Sequence, residues 1–154
     1  MRTLGRRLAA TGFLASSALH LLTFTPWGAR AGERAVWALG ALAFLLALAM
    51  VASLRRAPGT GRGRVGRLAV LDWRALVRLV PPGLRFLIVG AALYAWMNFG
   101  LCLLLDVPPA EHTAITIRMA TGHLLFFFLV PLVFFRFVAP GLEAAHEAEE
   151  AARP

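Results

Sequence analysis

Four stretches of this chain are long enough to cross a bilayer and carry almost no charge: about residues 8–25, 35–54, 86–105 and 119–138. A hydrocarbon core about 30 Å thick takes about 20 helical residues at a rise of about 1.5 Å each. Inside it every backbone N–H and C=O must be satisfied within the protein, and for isolated runs of this length the α-helix does that. Composition agrees: 59% of the residues are hydrophobic and only 16% are charged, against about 25% charged in soluble domains. The expected fold is therefore all-α, an integral membrane four-helix bundle with up-down-up-down connections. The spans take about 80 of the 154 residues. A separate soluble catalytic domain of about 100 residues does not fit beside them, and the chain reads as a single transmembrane domain.

Charge and cysteine usage narrow the classes further. Cys102 is the only cysteine, so neither an intrachain disulfide nor a thiolate metal cluster is expected. The net charge is +8 and every basic residue is Arg. A basic chain can signal nucleic acid, but here the Arg residues lie between apolar spans, where topology already accounts for them. The N-terminus holds Arg2, Arg6 and Arg7, and the stretch 55–85 holds eight Arg against the single Asp72. The positive-inside rule then places both termini and the 55–85 loop in the cytoplasm. Partners expected on this basis are membrane lipids, other membrane subunits or a second copy, and no nucleic acid.

Local patterns fill in the connections. The basic start, the apolar stretch and Ala29-Arg30-Ala31 imitate a cleaved secretory signal; the length of the stretch and His20 within it favour a retained span. Ala43 and Ala47 form a small-xxx-small pair that lets a neighbouring helix approach. In the 55–85 loop, Val65, Leu68, Ala69, Trp73, Leu76, Val77 and Val80 recur at helical spacing, with Arg67, Arg74 and Arg78 on another face. That pattern predicts an interfacial helix, apolar side in lipid and Arg toward the headgroups, ended by Pro81-Pro82-Gly83. Pro131 should kink the fourth span, Ala139-Pro140-Gly141 should close it, and an acidic tail over 141–154 should follow. The Phe residues at 126, 127, 128, 134, 135 and 137 are expected to meet lipid. Asp106, Glu111 and His112 read as solvated loop residues, as does His146 in the tail.

Polar groups inside a bilayer are costly, so each is a functional candidate. Gly12, Ser16, His20 and Thr23 form one small or polar stripe on the first span. Gly90, Tyr94, Asn98 and Cys102 are spaced by four on the third. Thr116, Ala120 and His123 share a face of the fourth, with Thr121 and Gly122 beside it. At about 1.5 Å per residue, His20 and His123 both lie roughly 7–8 Å below the outer surface, and Asn98 roughly 10 Å below it. The expected polar cluster is His20, Thr23, Asn98, Thr121 and His123, with His20 and His123 able to meet across neighbouring helices.

Three readings of that cluster stay open. The first is a non-catalytic network that holds a bundle together, alone or as an accessory subunit of a membrane complex. The second is a redox protein with haem b or a metal, His20 and His123 being the ligands. The third is a small permease or proton-linked carrier, since imidazole titrates near neutral pH. No span contains Asp or Glu, which removes a di-iron carboxylate site. No internal repeat and no charge at mid-span support transport.

Tyr94-Ala95-Trp96-Met97-Asn98-Phe99, together with Thr121-Gly122-His123 and Phe127, resembles the third and fourth spans of small uncharacterised bacterial four-transmembrane-helix membrane proteins. This chain has Thr121 in place of that family's Ser, and Leu124 in place of its Trp. The resemblance implies four membrane helices in a bacterial inner membrane and adds no activity.

Overall fold

The computed structural model describes residues 2–25, 33–55, 77–106, 108 and 111–151. These residues form helices, with no strand among them. Helix α1 spans Arg2–Leu22, α2 Glu33–Arg55, α3 Pro82–Leu104 and α4 His112–Val133. A π-helical turn, Phe134–Val138, joins α4 to a last helix, α5, over Ala139–Ala151. Three of the segments are long and apolar enough to cross a membrane: 34–54, 82–104 and 112–144, with mean hydropathies of 2.4, 1.9 and 2.1. The more polar α1 packs against the third of them.

Helix ends follow from local chemistry. Pro81 sits just outside α3 in an extended conformation and Pro82 occupies its first turn. A proline is cheap there because the first-turn N–H groups have no intrahelical acceptor anyway. The prolines expected to end a preceding helix thus open the third one. At the other end of the molecule, α1 is closed by its threonines. Thr23 Oγ1 donates to the His20 carbonyl at 2.6 Å and Thr25 Oγ1 to the Leu22 carbonyl at 2.7 Å. These bonds satisfy carbonyls that a helix C-terminus leaves bare.

The fourth segment departs most from expectation. It starts at His112 rather than near 119, and it runs on past Ala139-Pro140-Gly141 to Ala151. Pro131 lacks the N–H that would bond the Phe127 carbonyl. Three residues later the helix widens, and the Ala139 N–H bonds back five residues to the Phe134 carbonyl. A π turn of this kind absorbs a broken ladder without ending the helix, and the wider turn gives the ring of Pro140 room. The interfacial helix expected over 65–80 lies outside the described residues except for 77–80, and so do Arg67 and Arg74; Arg78 is described and exposed.

Helix α4 is the common partner of the rest. It packs against α1, α2 and α3, whereas α2 and α3 share no substantial contact. Helices α1 and α4 run antiparallel: Arg2 pairs with Glu143 at 2.7 Å at one end, and Thr23 meets Arg118 at the other. Helices α3 and α4 also oppose each other, with Leu79 against Gly141 and Asn98 against Gly122. The core gathers Ala9, Leu46, Leu124, Phe128, Phe134 and Phe135. Phe128 is fully buried, seated over Gly12, where a Cβ would overlap its ring. Phe128, Phe134 and Phe135 are therefore core residues rather than lipid-facing ones; of the Phe cluster, Phe127 is exposed. The glycine on α1 makes the difference, because only a helix surface without a side chain lets a ring lie that close.

Candidate functional site

The polar residues gather where the C-terminal end of α1 meets α3 and the early turns of α4. His20 comes from the last turn of α1, one turn above Ser16. Thr121 is fully buried on the α4 face opposite it. Its hydroxyl lies 2.8 Å from the Ile117 carbonyl and 3.1 Å from the Arg118 carbonyl. Carbonyls only accept, so the Thr121 proton is spent there. The His20 Nδ1 that sits 2.8 Å from the same oxygen must then be the donor. In neutral imidazole that leaves Nε2 as an acceptor, and it takes the hydroxyl of Tyr94. The result is one directed chain: Tyr94 to His20, His20 to Thr121, Thr121 to the backbone of α4. The Tyr94 and Phe24 rings meet the imidazole edge-on, with centroids 5.6 and 5.3 Å away.

Arg118 ties this chain to the end of α1. Its Nη2 donates to the Thr23 carbonyl at 2.6 Å and its Nε to Thr23 Oγ1 at 3.4 Å. The guanidinium carbon lies 4.2 Å over the Phe24 ring. A cation at a helix C-terminus meets the negative end of the helix dipole and a bare carbonyl together, so α4 adds to the threonine bonds a cap on the Thr23 carbonyl that α1 cannot supply itself. On the α3 side, Asn98 Nδ2 donates to the Arg118 carbonyl at 3.1 Å, and Cys102 Sγ lies 3.9 Å from Asn98 Oδ1. Gly122 is the seat of Asn98, for a Cβ there would collide with the amide. Ser16 Oγ is the exception to this satisfaction: it is buried with no hydrogen-bond partner among the described residues.

Of the five residues expected to cluster, His20, Thr23, Asn98 and Thr121 come together, and His123 does not. Positions 121 and 123 differ by about 200° around a helix, so when Thr121 faces α1, His123 faces away. Its Nδ1 donates to the Met119 carbonyl at 2.9 Å, and its ring packs edge-on to Phe99 of α3 at 5.5 Å. Its outer side lines a groove beside α2. Two members of the network lay outside that set, Tyr94 and Arg118. Arg118 sits three residues before Thr121, hence on the same face. Tyr94 lies a turn deeper than Asn98, and its long side chain spans the difference. Among the described residues, no three His, Cys, Asp or Glu group closely enough to hold a metal ion.

Comparison with family models, with curated proteins and with solved structures finds no match.

Proposed function

We propose that this is an integral membrane protein of a bacterial inner membrane, with a non-catalytic role as a helical bundle or an accessory subunit of a membrane complex. In this reading all four long helices cross the bilayer in alternating directions. Both termini and the Arg-rich 55–85 stretch lie in the cytoplasm, and lipids surround the bundle.

One observation carries the non-catalytic reading. The hydrogen-bond chain from Tyr94 through His20 and Thr121 ends on backbone carbonyls. A carbonyl accepts a hydrogen bond but has no proton of its own to pass on, so the chain is a dead end for proton transfer. It leaves His20 no free nitrogen to act as a base or to bind iron. Its chemistry is that of a clasp between α1, α3 and α4. Intramembrane clasps of this sort contribute about 0.6 kcal/mol per bond on average, enough to select one packing over another.

The rival reading, haem or a metal held between His20 and His123, asks His20 to give up both partners and His123 to turn to the opposite face of α4. An absorption spectrum of the purified protein, oxidised and then reduced with dithionite, separates the two. The expected result is no Soret band, together with a modest loss of thermal stability in His20→Gln. A Soret band that sharpens on reduction and disappears in His20→Gln would replace the clasp by a cytochrome.

A further inference from the structure

Helices α2 and α4 touch but do not close on each other. Between them runs a groove of about 850 Å³, walled by Trp37, Phe44, Phe127 and Pro131, with Ala43 on its floor and His123 in its side. Trp37, Phe44 and Phe127 remain exposed along it, so in a membrane-embedded chain it opens sideways to the lipid. The volume falls in the range of small-molecule sites, about 300–1,000 Å³.

The polar atoms of its lining have a definite character. His123 Nδ1 lies 2.9 Å from the Met119 carbonyl. That carbonyl can only accept, so Nδ1 carries the proton, and the neutral ring presents Nε2 as a lone pair. Nε2 has no hydrogen-bond partner among the described residues. Thr116 also lines the groove, and its hydroxyl proton goes to the His112 carbonyl at 2.9 Å. Only lone pairs are left on that oxygen too. The groove is thus apolar, its His123 and Thr116 side chains offer only acceptors, and among the described residues its one side-chain donor is the indole N–H of Trp37. An acyl chain would fill it and leave the imidazole unmet. A ketone or quinone, which only accepts, would also leave His123 Nε2 unmet.

We propose that the groove between α2 and α4 binds a hydroxyl-bearing apolar lipid, an alcohol or phenol whose O–H donates to His123 Nε2 while its hydrocarbon body lies against Trp37, Phe44 and Phe127. This goes beyond the bundle reading and rests on it only for the membrane setting, which recovery of the full chain in the membrane fraction tests separately.

The experiment uses the full chain in phosphatidylcholine nanodiscs and two probes of nearly equal shape. 4-Nonylphenol donates a hydrogen bond; its methyl ether, 4-nonylanisole, does not. Binding is read from the rise in melting temperature and from tryptophan emission, at matched mole fraction in the bilayer. One hydrogen bond should favour the phenol by about five- to tenfold. His123→Leu should abolish that preference while still admitting both probes. His123→Gln, whose amide both donates and accepts, should narrow it. The wild-type comparison stands even if a variant fails to fold. Equal binding of phenol and ether to the wild type overturns the proposal, because the groove then takes any hydrocarbon. A preference that survives His123→Leu also overturns it, since the hydroxyl would be read elsewhere. So does a Soret shift on titration with haemin that disappears in His123→Leu, or a stable dimer that excludes both probes.

Discussion

His20 and Thr121 stand 101 positions apart in the chain, and their bond sets up an asymmetry that mutation should expose. Thr121→Val removes the only acceptor of the His20 Nδ1–H and leaves a buried donor unpaired, at a cost of about 1–3 kcal/mol. Tyr94→Phe removes a donor at a partly exposed edge and should cost about 0.5–1 kcal/mol. Unfolding in a mixed detergent series ranks the two, and a larger loss for Tyr94→Phe would reverse the donor assignment. Gly12→Ala drives a methyl group into the Phe128 ring and should lose about 1–3 kcal/mol. Phe128→Leu in the Gly12→Ala background should recover part of it, since the loss comes from the clash and not from helix propensity, which Gly→Ala raises. At this scale the sequence was legible in part. His20, Thr23, Asn98 and Thr121 stood out as polar groups at matched depth in apolar helices. His123 shared their depth but not their azimuth, and azimuth depends on which face α4 turns to α1, a matter of packing. Arg118 read as a flank of its span, because nothing local reveals that another helix ends beside it.

Among the elements, the long apolar helices were the legible part, since 20 uncharged residues in a row leave the backbone few alternatives. Their ends were harder. Prolines bear opposite meanings by position: Pro82 starts α3, and Pro140 lies inside a helix whose widened turn accepts it. The Phe cluster misled for a related reason. A ring facing lipid and a ring facing glycine look alike in a sequence, and only Gly12 under Phe128 tells them apart. The tie between α1 and α5 illustrates how little a visible contact can weigh. Arg2 and Glu143 pair at 2.7 Å but both are about half exposed. Glu143→Gln should therefore shift stability by less than about 0.5 kcal/mol, and that small shift should shrink further as salt rises from low to physiological strength. A drop of several degrees in melting temperature would show that the α1–α5 end carries more of the fold than its exposure implies.

For the whole molecule, the arginine distribution makes the sharpest claim. A periplasm-active reporter fused after Arg64 should be silent, and one fused after Asp106 should be active; the reverse pattern would invert the topology. The arrangement around α4 also bears on how the protein is made. Ribosomes deliver the helices in chain order, and α4 is the last of the long ones. Until it emerges, α1 waits without its cap from Arg118 and without the ring of Phe128, and α3 has no seat for Asn98. In the proposed four-span reading, the first three helices until then share little, among the described residues, beyond the packing of α1 on α2 and the Tyr94–His20 bond between α1 and α3. Assembly then happens in one late step when the keystone arrives. A chain truncated before residue 112 should accordingly turn over faster than the full chain in a pulse-chase, because the helix on which the others pack is the one it lacks.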